Sequence, residues 1–528
     1  MTGFKVTLSD STTVKEGTIA GTTILVTVPS GTADLTFAPL ITVSPGARVS
    51  PASGETRNFD GPVTYTVTAE DGSTTVYTAA VMKPVTNIGD YLGAGTYSGT
   101  AGAPVPLPVE IILSSGWANL LTDIQTAGKY VALDLSACTG VTEFDPGAGT
   151  TGVDKIVSLV LPDTATGVKA GTYHDPTFEN FSALTGVAGA GIQTVGDYAF
   201  FGCTALTTVS LPKAASIGNV AFADCTALAT VSLPEAASID SAAFNDCTAL
   251  TTVSLPKATS IGNGAFSGCT ALTTVSLPEA ASIGDSAFSG CTGLTTVSLP
   301  AAASIGYCAF DVCTALTTVS LPASLTTMGF SPFSGCTSLT NITVASGNST
   351  YTHSGNRRML LSNNGKTLIC YPSAAGGVTI PGITAIGDAA FHGCTALATV
   401  SLPEAASIGN NAFRGCTALT TVSLPKAASI GYWAFDYTGA EALTVTLGST
   451  VPTLGYQMFS DVTSKAVTVR VPSGATDWDG KTGTFTGSDT TVNWGNGFRG
   501  GGWKKPENAF QTNGSVNSRI TLTVERLP

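Results

Sequence analysis

Nine cysteines recur at nearly constant intervals along this sequence, and thiolates can bind metals or form crosslinks. The step is 22 residues from Cys203 to Cys313 and again from Cys394 to Cys416, with one 23-residue step after the first run. Stacked copies of such a unit would hold these side chains parallel and about 4.8 Å apart. A disulfide needs closer, converging Cβ atoms, and zinc needs ligands that converge on one point. The spacing therefore predicts buried thiols that act as small apolar residues, with Cys308 as the exception most able to pair or react.

Other residues that commonly catalyse reactions or bind metals are sparse. The three histidines, His174, His353 and His392, lie in different contexts without a partner at metal-ligand spacing. His392 occupies a position that holds Ser, Ala, Asn, Asp or Arg in sister copies, which predicts a surface residue. Nucleophile-elbow, HExxH and P-loop motifs are absent from the sequence. We therefore expect no enzymatic activity, cofactor or metal.

Length and composition narrow the class of protein. The chain has 528 residues, 43% of them hydrophobic and 11% charged, with 60 glycines, which suits closely stacked thin elements. A net charge of −12 argues against a nucleic-acid partner, which needs a basic surface. No apolar run approaches the roughly 18 residues that a membrane-spanning helix needs. The sequence begins directly with a strand-like segment, so the protein is either cytosolic or trimmed of an export signal.

The cysteines belong to a repeating unit, of which residues 269–291, CTALTTVSLPEAASIGDSAFSGC, are one copy. Val275 and Leu277 alternate with polar residues, which predicts a short strand with one buried face. Pro278 ends the strand because it has no N–H to donate. The rest of the unit predicts a turn, with Gly284 in a left-handed conformation, followed by a short helical piece.

A unit this short cannot bury both faces alone, so the copies must stack into a solenoid with a parallel sheet on one face. Stacking predicts one continuous column of aromatic rings, formed by Phe200, Phe222, Phe244, Phe266, Phe288 and Phe310. It also predicts a surface row of alternating charges after the prolines, formed by Lys213, Glu235, Lys257 and Glu279.

The segments before the array differ from it. Residues 1–84 contain short strands in rough alternation, which predicts a small immunoglobulin-like β-sandwich. Residues 85–149 are predicted to form a linker and the N-terminal cap of the solenoid. Within this segment, Ser114 and Ser115 are expected to cap a short helix that stops at Gly128.

The pattern LxxVxLP followed by IGxxAFxxC resembles the BspA-type leucine-rich repeat of microbial surface proteins. The resemblance covers about residues 150–472 and includes a hairpin insertion at about 345–377. Residues 473–528 resemble the C-terminal caps of such arrays. The resemblance implies an exported, extracellular protein displayed at the cell surface, often in adhesion.

Two surfaces of the array could contact a ligand. One is the strand face, where Thr208, Ser210 and their copies form a flat hydroxyl array suited to a polysaccharide. The other is the set of turn positions that vary between copies, where exposed aromatic residues favour contact. An equally good interpretation of Trp433 is that it covers the end of the array. The candidate contact residues are Tyr198, Asp285, Tyr307, Asn410, Tyr432 and Trp433.

We therefore predict a monomeric, non-enzymatic surface protein that presents an extended face to a protein ligand, from host matrix or other cells, with the β-sandwich as spacer. One alternative is a glycan-binding or glycan-processing accessory protein, and an enzyme acting on glycans would need a carboxylate pair in a cleft. Only the insertion or the terminal cap could provide such a cleft. Another alternative is a purely structural component of a surface layer.

Overall fold

The computed structural model describes residues 1, 3–8, 14–20, 22–94, 97–147, 151–362, 364–438, 442–454, 466–475, 483–485 and 521–527. Contacts group the chain into two units, residues 1–258 with 268–272 and residues 259–267 with 273–528. The boundary between the two units lies inside the repeat array. Each repeat of a stacked array contacts only its neighbours, so such a division can fall between any two repeats. The four segments predicted from the sequence stay predictions.

The first unit begins with a small β domain. Strands β1, β2 and β6 form an antiparallel sheet in the order β2-β1-β6, and a second sheet has the order β3-β4-β10-β9-β7. Phe4 and Tyr65 belong to one core to which both sheets contribute. The predicted small β domain is confirmed, whereas its immunoglobulin-like character stays a prediction. The strands are β1 (Gly3–Thr7), β2 (Val14–Glu16), β3 (Thr18–Ala20), β4 (Thr23–Thr27), β5 (Thr36–Phe37), β6 (Leu40–Thr42), β7 (Arg48–Ser50), β8 (Arg57–Asn58), β9 (Val63–Thr68) and β10 (Thr74–Met82).

Two helices and two strands follow the β domain: α1 (Ile88–Gly93), β11 (Val105–Pro108), α2 (Leu113–Ala127) and β12 (Val131–Asp134). The predicted helix is present as α2 and ends at Gly128, which adopts φ +62°. The predicted cap at Ser114 and Ser115 is wrong, because both lie inside the first turn and the N-cap is Ile112. Strands β11 and β12 pair with each other and begin the solenoid sheet.

The solenoid of the first unit has two parallel sheets. One has the order β11-β12-β14-β16-β18-β20-β22, and the other has the order β13-β15-β17-β19-β21. Equivalent residues of successive repeats pair in register, as Val209 does with Val231. A 3₁₀ turn covers Val153–Lys155, and the strands are β13 (Glu143–Phe144), β14 (Ile156–Val160), β15 (Gly167–Val168), β16 (Gly186–Ala188), β17 (Thr194–Val195), β18 (Thr208–Ser210), β19 (Ser216–Ile217), β20 (Thr230–Ser232), β21 (Ser238–Ile239) and β22 (Thr252–Ser254).

The β domain packs against the start of this solenoid. Strand β4 contacts β12, and β3 contacts β16. The hydroxyl of Thr27 donates to the carboxylate of Asp134, which is buried in the interface. All four residues of β12 are buried, whereas the outward residues of later strands such as β22 are exposed. The β domain is therefore attached along the sheet face, and its role as a spacer stays a prediction.

The second unit continues the same repeat and then contains the insertion. Its first repeats give the sheet orders β24-β26-β28-β30 and β23-β25-β27-β29. The antiparallel strands β31, β32 and β33 follow within the predicted insertion, and β33 pairs with β35. The strands are β23 (Ser260–Ile261), β24 (Thr274–Ser276), β25 (Ser282–Ile283), β26 (Thr296–Ser298), β27 (Ser304–Ile305), β28 (Thr318–Leu321), β29 (Thr327–Met328), β30 (Asn341–Val344), β31 (Tyr351–His353), β32 (Leu360–Ser362), β33 (Thr367–Cys370), β34 (Gly376–Thr379) and β35 (Ala385–Ile386).

The last repeats form the sheets β35-β37-β39-β41 and β34-β36-β38-β40-β42-β44-β43. Most of the predicted C-terminal cap lies outside the described residues, although β43 and β44 extend the sheet. The strands are β36 (Leu397–Ser401), β37 (Ser407–Ile408), β38 (Thr421–Leu424), β39 (Ser429–Ile430), β40 (Ala442–Leu447), β41 (Thr453–Leu454), β42 (Ala466–Val471), β43 (Gly483–Phe485) and β44 (Thr521–Arg526).

Phenylalanine rings fill the core between the two sheets and the turns. In the first unit, Phe200 stacks on Phe222 with ring centroids 4.9 Å apart. In the second unit, Phe288 stacks on Phe310 at 5.3 Å with an interplanar angle of 4°. The predicted aromatic column is therefore confirmed within each unit. The short helical piece predicted beside each Phe is wrong, because the described repeats contain consecutive turns there and no helix.

Candidate functional site

The recurring cysteines are part of the core. All nine are buried thiols, as predicted. Each Sγ also has a polar partner that the sequence did not reveal, a carbonyl oxygen of the preceding repeat. The carbonyl belongs to a Phe for eight of the cysteines and to Tyr371 for Cys394. Cys247 Sγ donates to Phe222 O at 3.1 Å, and Cys416 Sγ donates to Phe391 O at 3.0 Å. Burial raises the pKa of the Cys225 thiol well above its ordinary value, so this thiol stays protonated and unreactive.

Cys308, the predicted exception, is half-buried and is not joined in a disulfide to any described residue. Burial raises the pKa of its thiol to about 11, against the smaller opposing effect of a hydrogen bond with Tyr307. A thiol with such a pKa is protonated at neutral pH and is therefore a weak nucleophile.

The variable positions form a pair after the turn glycine of each repeat, which we call the slot pair. The first residue of several slot pairs accepts a hydrogen bond from the backbone N–H of the next repeat. Asp285 Oδ1 accepts from Tyr307 N at 2.7 Å, and Asn410 Oδ1 accepts from Tyr432 N at 2.8 Å. Two of the predicted contact residues, Asp285 and Asn410, therefore also bind one repeat to the next.

The second residue of each slot pair adopts a left-handed conformation, with φ between 50° and 62° at Tyr198, Val220, Ala242, Gly264, Ser286, Cys308, Asn411 and Trp433. The sequence prediction placed this conformation at Gly284, which is wrong, because Gly284 does not have a positive φ. Glycine is required at Gly284 for space, since a Cβ there would lie 2.6 Å from the carbonyl carbon of Gly262.

The aromatic contact candidates occupy slot pairs of three repeats, and Tyr432 and Trp433 share one slot pair. Tyr307, Tyr432 and Trp433 are 47%, 50% and 42% exposed. Tyr432 and Trp433 are neighbours with ring centroids 6.5 Å apart. Tyr198 is half-buried in the first unit, where its ring meets that of Phe201 at 6.0 Å. The role of all six candidate residues in ligand contact stays a prediction.

A second group of residues, not predicted from the sequence, follows the stacked phenylalanines on either side of the insertion. We call it the junction row, and its members are Asp311, Ser334, His392, Arg414 and Asp436. Ser334 Oγ contacts His392 Nδ1 although 58 residues separate them. A Cβ on Gly393 would lie 3.3 Å from the backbone nitrogen of Gly335. The repeats before and after the insertion therefore meet directly at their turns.

The insertion lies on the sheet side of these repeats. Strands β31, β32 and β33 continue the sheet beyond β35. Strand β31 contacts β30, the last sheet strand before the insertion. Three antiparallel strands thus lie on the sheet side between repeats whose turns touch. Arg414 lies within electrostatic reach of Tyr307 three repeats away.

The junction row has a defined electrostatic arrangement. His392 is half-buried, so the prediction of a surface residue is wrong. Burial, followed by the Arg414 charge, lowers the pKa of His392 to about 4. Burial raises the pKa of Asp311, while a hydrogen bond from Ser334 opposes that effect. Arg414 Nε donates to Asp436 Oδ2 at 2.9 Å. The position of His392 could have suggested a special site, because its sister positions hold smaller side chains in most repeats.

Other features offer less chemistry. An open pocket of about 430 Å³ lies between α1 and α2, with Asp123 and Lys129 as its charged lining residues. Within the described part of the chain, no group of three His, Cys, Asp or Glu residues could hold a metal, and no helix is long and apolar enough to span a membrane. The post-proline charges form the ion pairs Lys257–Glu235 at 2.5 Å and Lys426–Glu404 at 3.4 Å.

These features define a parallel β-solenoid of leucine-rich type, with a small β domain fused to its first sheet strands. The family model described as BspA type Leucine rich repeat region matches residues 172–282, 259–356 and 374–489, together more than half of the chain. The chain therefore belongs to the BspA-type leucine-rich repeat family. Residues 1–81 match a second model, described as SGBP, N-terminal.

Comparison with solved structures gives several similar proteins. A leucine rich cell surface protein from Faecalibacterium prausnitzii is 26% identical, over 63% of this chain and 86% of that one, with a TM-score of 0.46. A leucine-rich repeat protein from Bacteroides ovatus is 22% identical, over 63% and 83%, with a TM-score of 0.38. A putative glycoside hydrolase from Bacteroides thetaiotaomicron is 37% identical over 16% of this chain and 26% of that one, with a TM-score of 0.14. A comparison with curated proteins returned no match.

Proposed function

We propose that this chain is a non-enzymatic, extracellular protein of the cell surface that binds a protein partner, from host matrix or another cell, through the slot pairs of its turn side. The observation that supports this proposal is the exposure of Tyr307, Tyr432 and Trp433. The recurring Phe, Leu, Ile and Cys positions of the same array are buried. Large aromatic residues contribute disproportionately to protein interfaces, and Tyr432 and Trp433 are exposed side by side.

Slot pairs of other repeats provide conservative replacements with which to test the role of the aromatic residues. Replacing Tyr432-Trp433 by Asn-Asn copies the slot pair of the preceding repeat, Asn410-Asn411, in which Asn411 already adopts φ +53°. The variant therefore removes the aromatic surface with little backbone cost. A matched control replaces Asn219-Val220 by Asp-Ser. This change copies the slot pair Asp285-Ser286 and alters no aromatic residue.

The purified chain should bind at least one member of a panel of extracellular-matrix proteins saturably in surface plasmon resonance. We expect the Asn-Asn variant to weaken that binding at least tenfold, because each aromatic anchor of an interface commonly contributes 2 kcal/mol or more. The control variant should bind like the wild type. Failure of the whole panel, or equal binding by the Asn-Asn variant, would contradict the proposal.

A further inference from the structure

Four aromatic side chains of the first unit lie together on its turn side, and we call Tyr173, His174, Tyr198 and Phe201 the aromatic cluster. The ring centroid of Tyr173 lies 5.4 Å from that of Phe201 and 5.1 Å from that of His174. Tyr198 meets Phe201 edge-on, at an interplanar angle of 79°. Tyr173 is 61% exposed and His174 is also exposed, so the cluster presents ring surface to solvent.

The backbone holds this ring surface in place. The turn that carries Tyr173 is closed by two backbone hydrogen bonds between Thr172 and Asp175, of 2.9 and 3.3 Å. The turn is also joined to the next repeat, because Gly171 N donates to Asp197 O at 2.7 Å. A ligand would therefore meet a surface whose backbone is already ordered, which lowers the entropic cost of binding.

Acidic residues border the aromatic cluster. Asp175 belongs to the same turn as Tyr173. Glu179 holds, in the preceding repeat, the position that Phe201 holds in its own, directly after the stacked Phe. In the following repeat, burial and then the charge of Asp246 raise the pKa of Asp224. The rings therefore lie between carboxylates of the repeats on either side.

Positive charge that would neutralise these carboxylates is missing from the surroundings of the aromatic cluster. Residues 170–212 contain no Lys or Arg. Lys169, which directly precedes this range, is paired with Asp145 at 2.5 Å. Among the residues that the structure describes, no Lys or Arg forms an ion pair with Asp175, Glu179 or Asp224. A cationic ligand would be attracted by this surface and would reduce the repulsion between its carboxylates.

We propose that the aromatic cluster docks an arginine-rich segment of a partner protein. A guanidinium stacks on an aromatic face and at the same time donates its N–H groups to carboxylates at its edge. Lysine fits this arrangement less well, because its compact ammonium is strongly hydrated and has no flat face to stack. Rings alone would leave the occupant open and carboxylates alone would attract any cation, whereas their combination selects a flat cation.

The docking site goes beyond the proposed function, which rests on Tyr307, Tyr432 and Trp433 of the second unit. Its test uses separate probes, so failure of the matrix-protein panel and failure of this proposal are distinguishable. The probes are a short peptide of alternating Arg and Gly, the same peptide with Lys in place of every Arg, and a neutral cello-oligosaccharide that can stack on aromatic rings.

Isothermal titration calorimetry of the full chain measures binding of each probe. We expect saturable binding of the Arg peptide, tighter than that of the Lys peptide by about threefold or more. Absence of saturable binding, equal affinity for the Lys peptide, or tighter binding of the oligosaccharide would overturn the proposal. Sedimentation of the free chain examines a second copy as the occupant, and a dimer that Phe201→Ala dissociates would also overturn it.

Ring variants locate the site. Phe201→Ala copies Ala223, the equivalent residue of the next repeat, so the backbone tolerates the change. Phe201→Ala and Tyr173→Ser should each weaken binding of the Arg peptide by about threefold or more, because each removes a ring face. Circular dichroism confirms that the variants are folded. Unchanged affinity in both folded variants would contradict the assignment.

A charge variant with a matched control tests the border of the cluster. Glu179→Gln should weaken binding of the Arg peptide by about twofold or more, because it removes one carboxylate next to the rings. Glu279→Gln removes the same charge from an exposed position of the second unit and should leave the affinity unchanged. An equal loss in both variants would show that the peptide responds only to net charge and would contradict the site.

Discussion

The thiols and the histidine of this protein show how burial changes the chemistry of a side chain. Cys225 has the side chain of a metal ligand, yet its Sγ donates to the carbonyl of Phe200 and burial raises its pKa. Burial lowers the pKa of His392, because it disfavours the charged, protonated form of the imidazole. A single residue type therefore indicates chemistry only once its surroundings are known.

The lowered pKa of His392 predicts a pH dependence of stability. The folded-state pKa is about 4, below the ordinary value of 6.5. The unfolded chain therefore takes up a proton as the pH falls through 6.5, whereas the folded chain resists until about pH 4. The contribution of this group to the free energy of unfolding is present above pH 6.5 and is lost progressively toward pH 4.

Urea unfolding of the wild type and of His392→Gln at several pH values between 7 and 4 measures this contribution. Carboxylates titrate in both proteins, so the difference between the two urea midpoints is the relevant quantity. The wild type should lose more stability than the variant over this range. His174→Gln changes an exposed histidine and is the control. Parallel curves for wild type and His392→Gln would show that His392 has no depressed pKa.

The repeat was the most predictable element. The alternation at Val275 and Leu277 gave the buried face of β24 and its neighbours, and the recurring Phe gave the aromatic column. The turn was harder, because the backbone at Ser286 adopts φ +52° without any glycine to mark it. Hydrogen bonds between repeats impose that conformation, and such bonds depend on the stack rather than on the local sequence.

The slot-pair hydrogen bonds predict how substitutions at Asp285 affect stability. Asp285→Ala removes the acceptor of the Tyr307 N–H and should lower the free energy of unfolding by about 0.5–1.5 kcal/mol. Asp285→Asn keeps the acceptor oxygen, as Asn410 does for Tyr432, and should leave stability nearly unchanged. Denaturant unfolding of both variants checks the prediction, and equal stability of Asp285→Ala and wild type would contradict it.

The same two variants separate structure from ligand contact at this position. If Asp285 contacts a protein ligand through its charge, Asp285→Asn should weaken binding without destabilising the chain. If it only joins repeats, Asp285→Asn should bind like the wild type. Sequence comparison among the repeats could not distinguish these roles, because Asp and Asn accept the same backbone hydrogen bond.

At the scale of the molecule, the sequence predicted an array and a β domain but not how they are joined. Strands β4 (TILVT) and β12 (VALD) each contain three consecutive apolar residues, and β4 contacts β12, all four residues of which are buried. Polar residues such as Asp134 gave no sign of burial, because a carboxylate in a strand normally faces water. Thr27 and Asp134 are 107 residues apart in the sequence, so no local sequence pattern could predict their contact.

The junction at Thr27 and Asp134 predicts that the β domain and the first repeats of the solenoid stabilise each other. Asp134 Oδ1 accepts from the backbone N–H of Ser136 at 2.8 Å, while Oδ2 depends on the Thr27 hydroxyl. Thr27→Val keeps the shape of the side chain but leaves this buried oxygen without that donor. Losing a hydrogen bond to a buried charged group costs about 1.5–3 kcal/mol.

Limited proteolysis near residue 84 and amide hydrogen exchange measure this coupling in the full chain. In Thr27→Val, exchange should accelerate in β4 and β12 together, because a shared interface opens as one unit. The double variant Thr27→Val with Asp134→Asn should recover part of the lost stability, since a neutral amide costs less to bury than a carboxylate. Exchange that accelerates in β4 alone would show that the β domain opens independently, as a tethered spacer would.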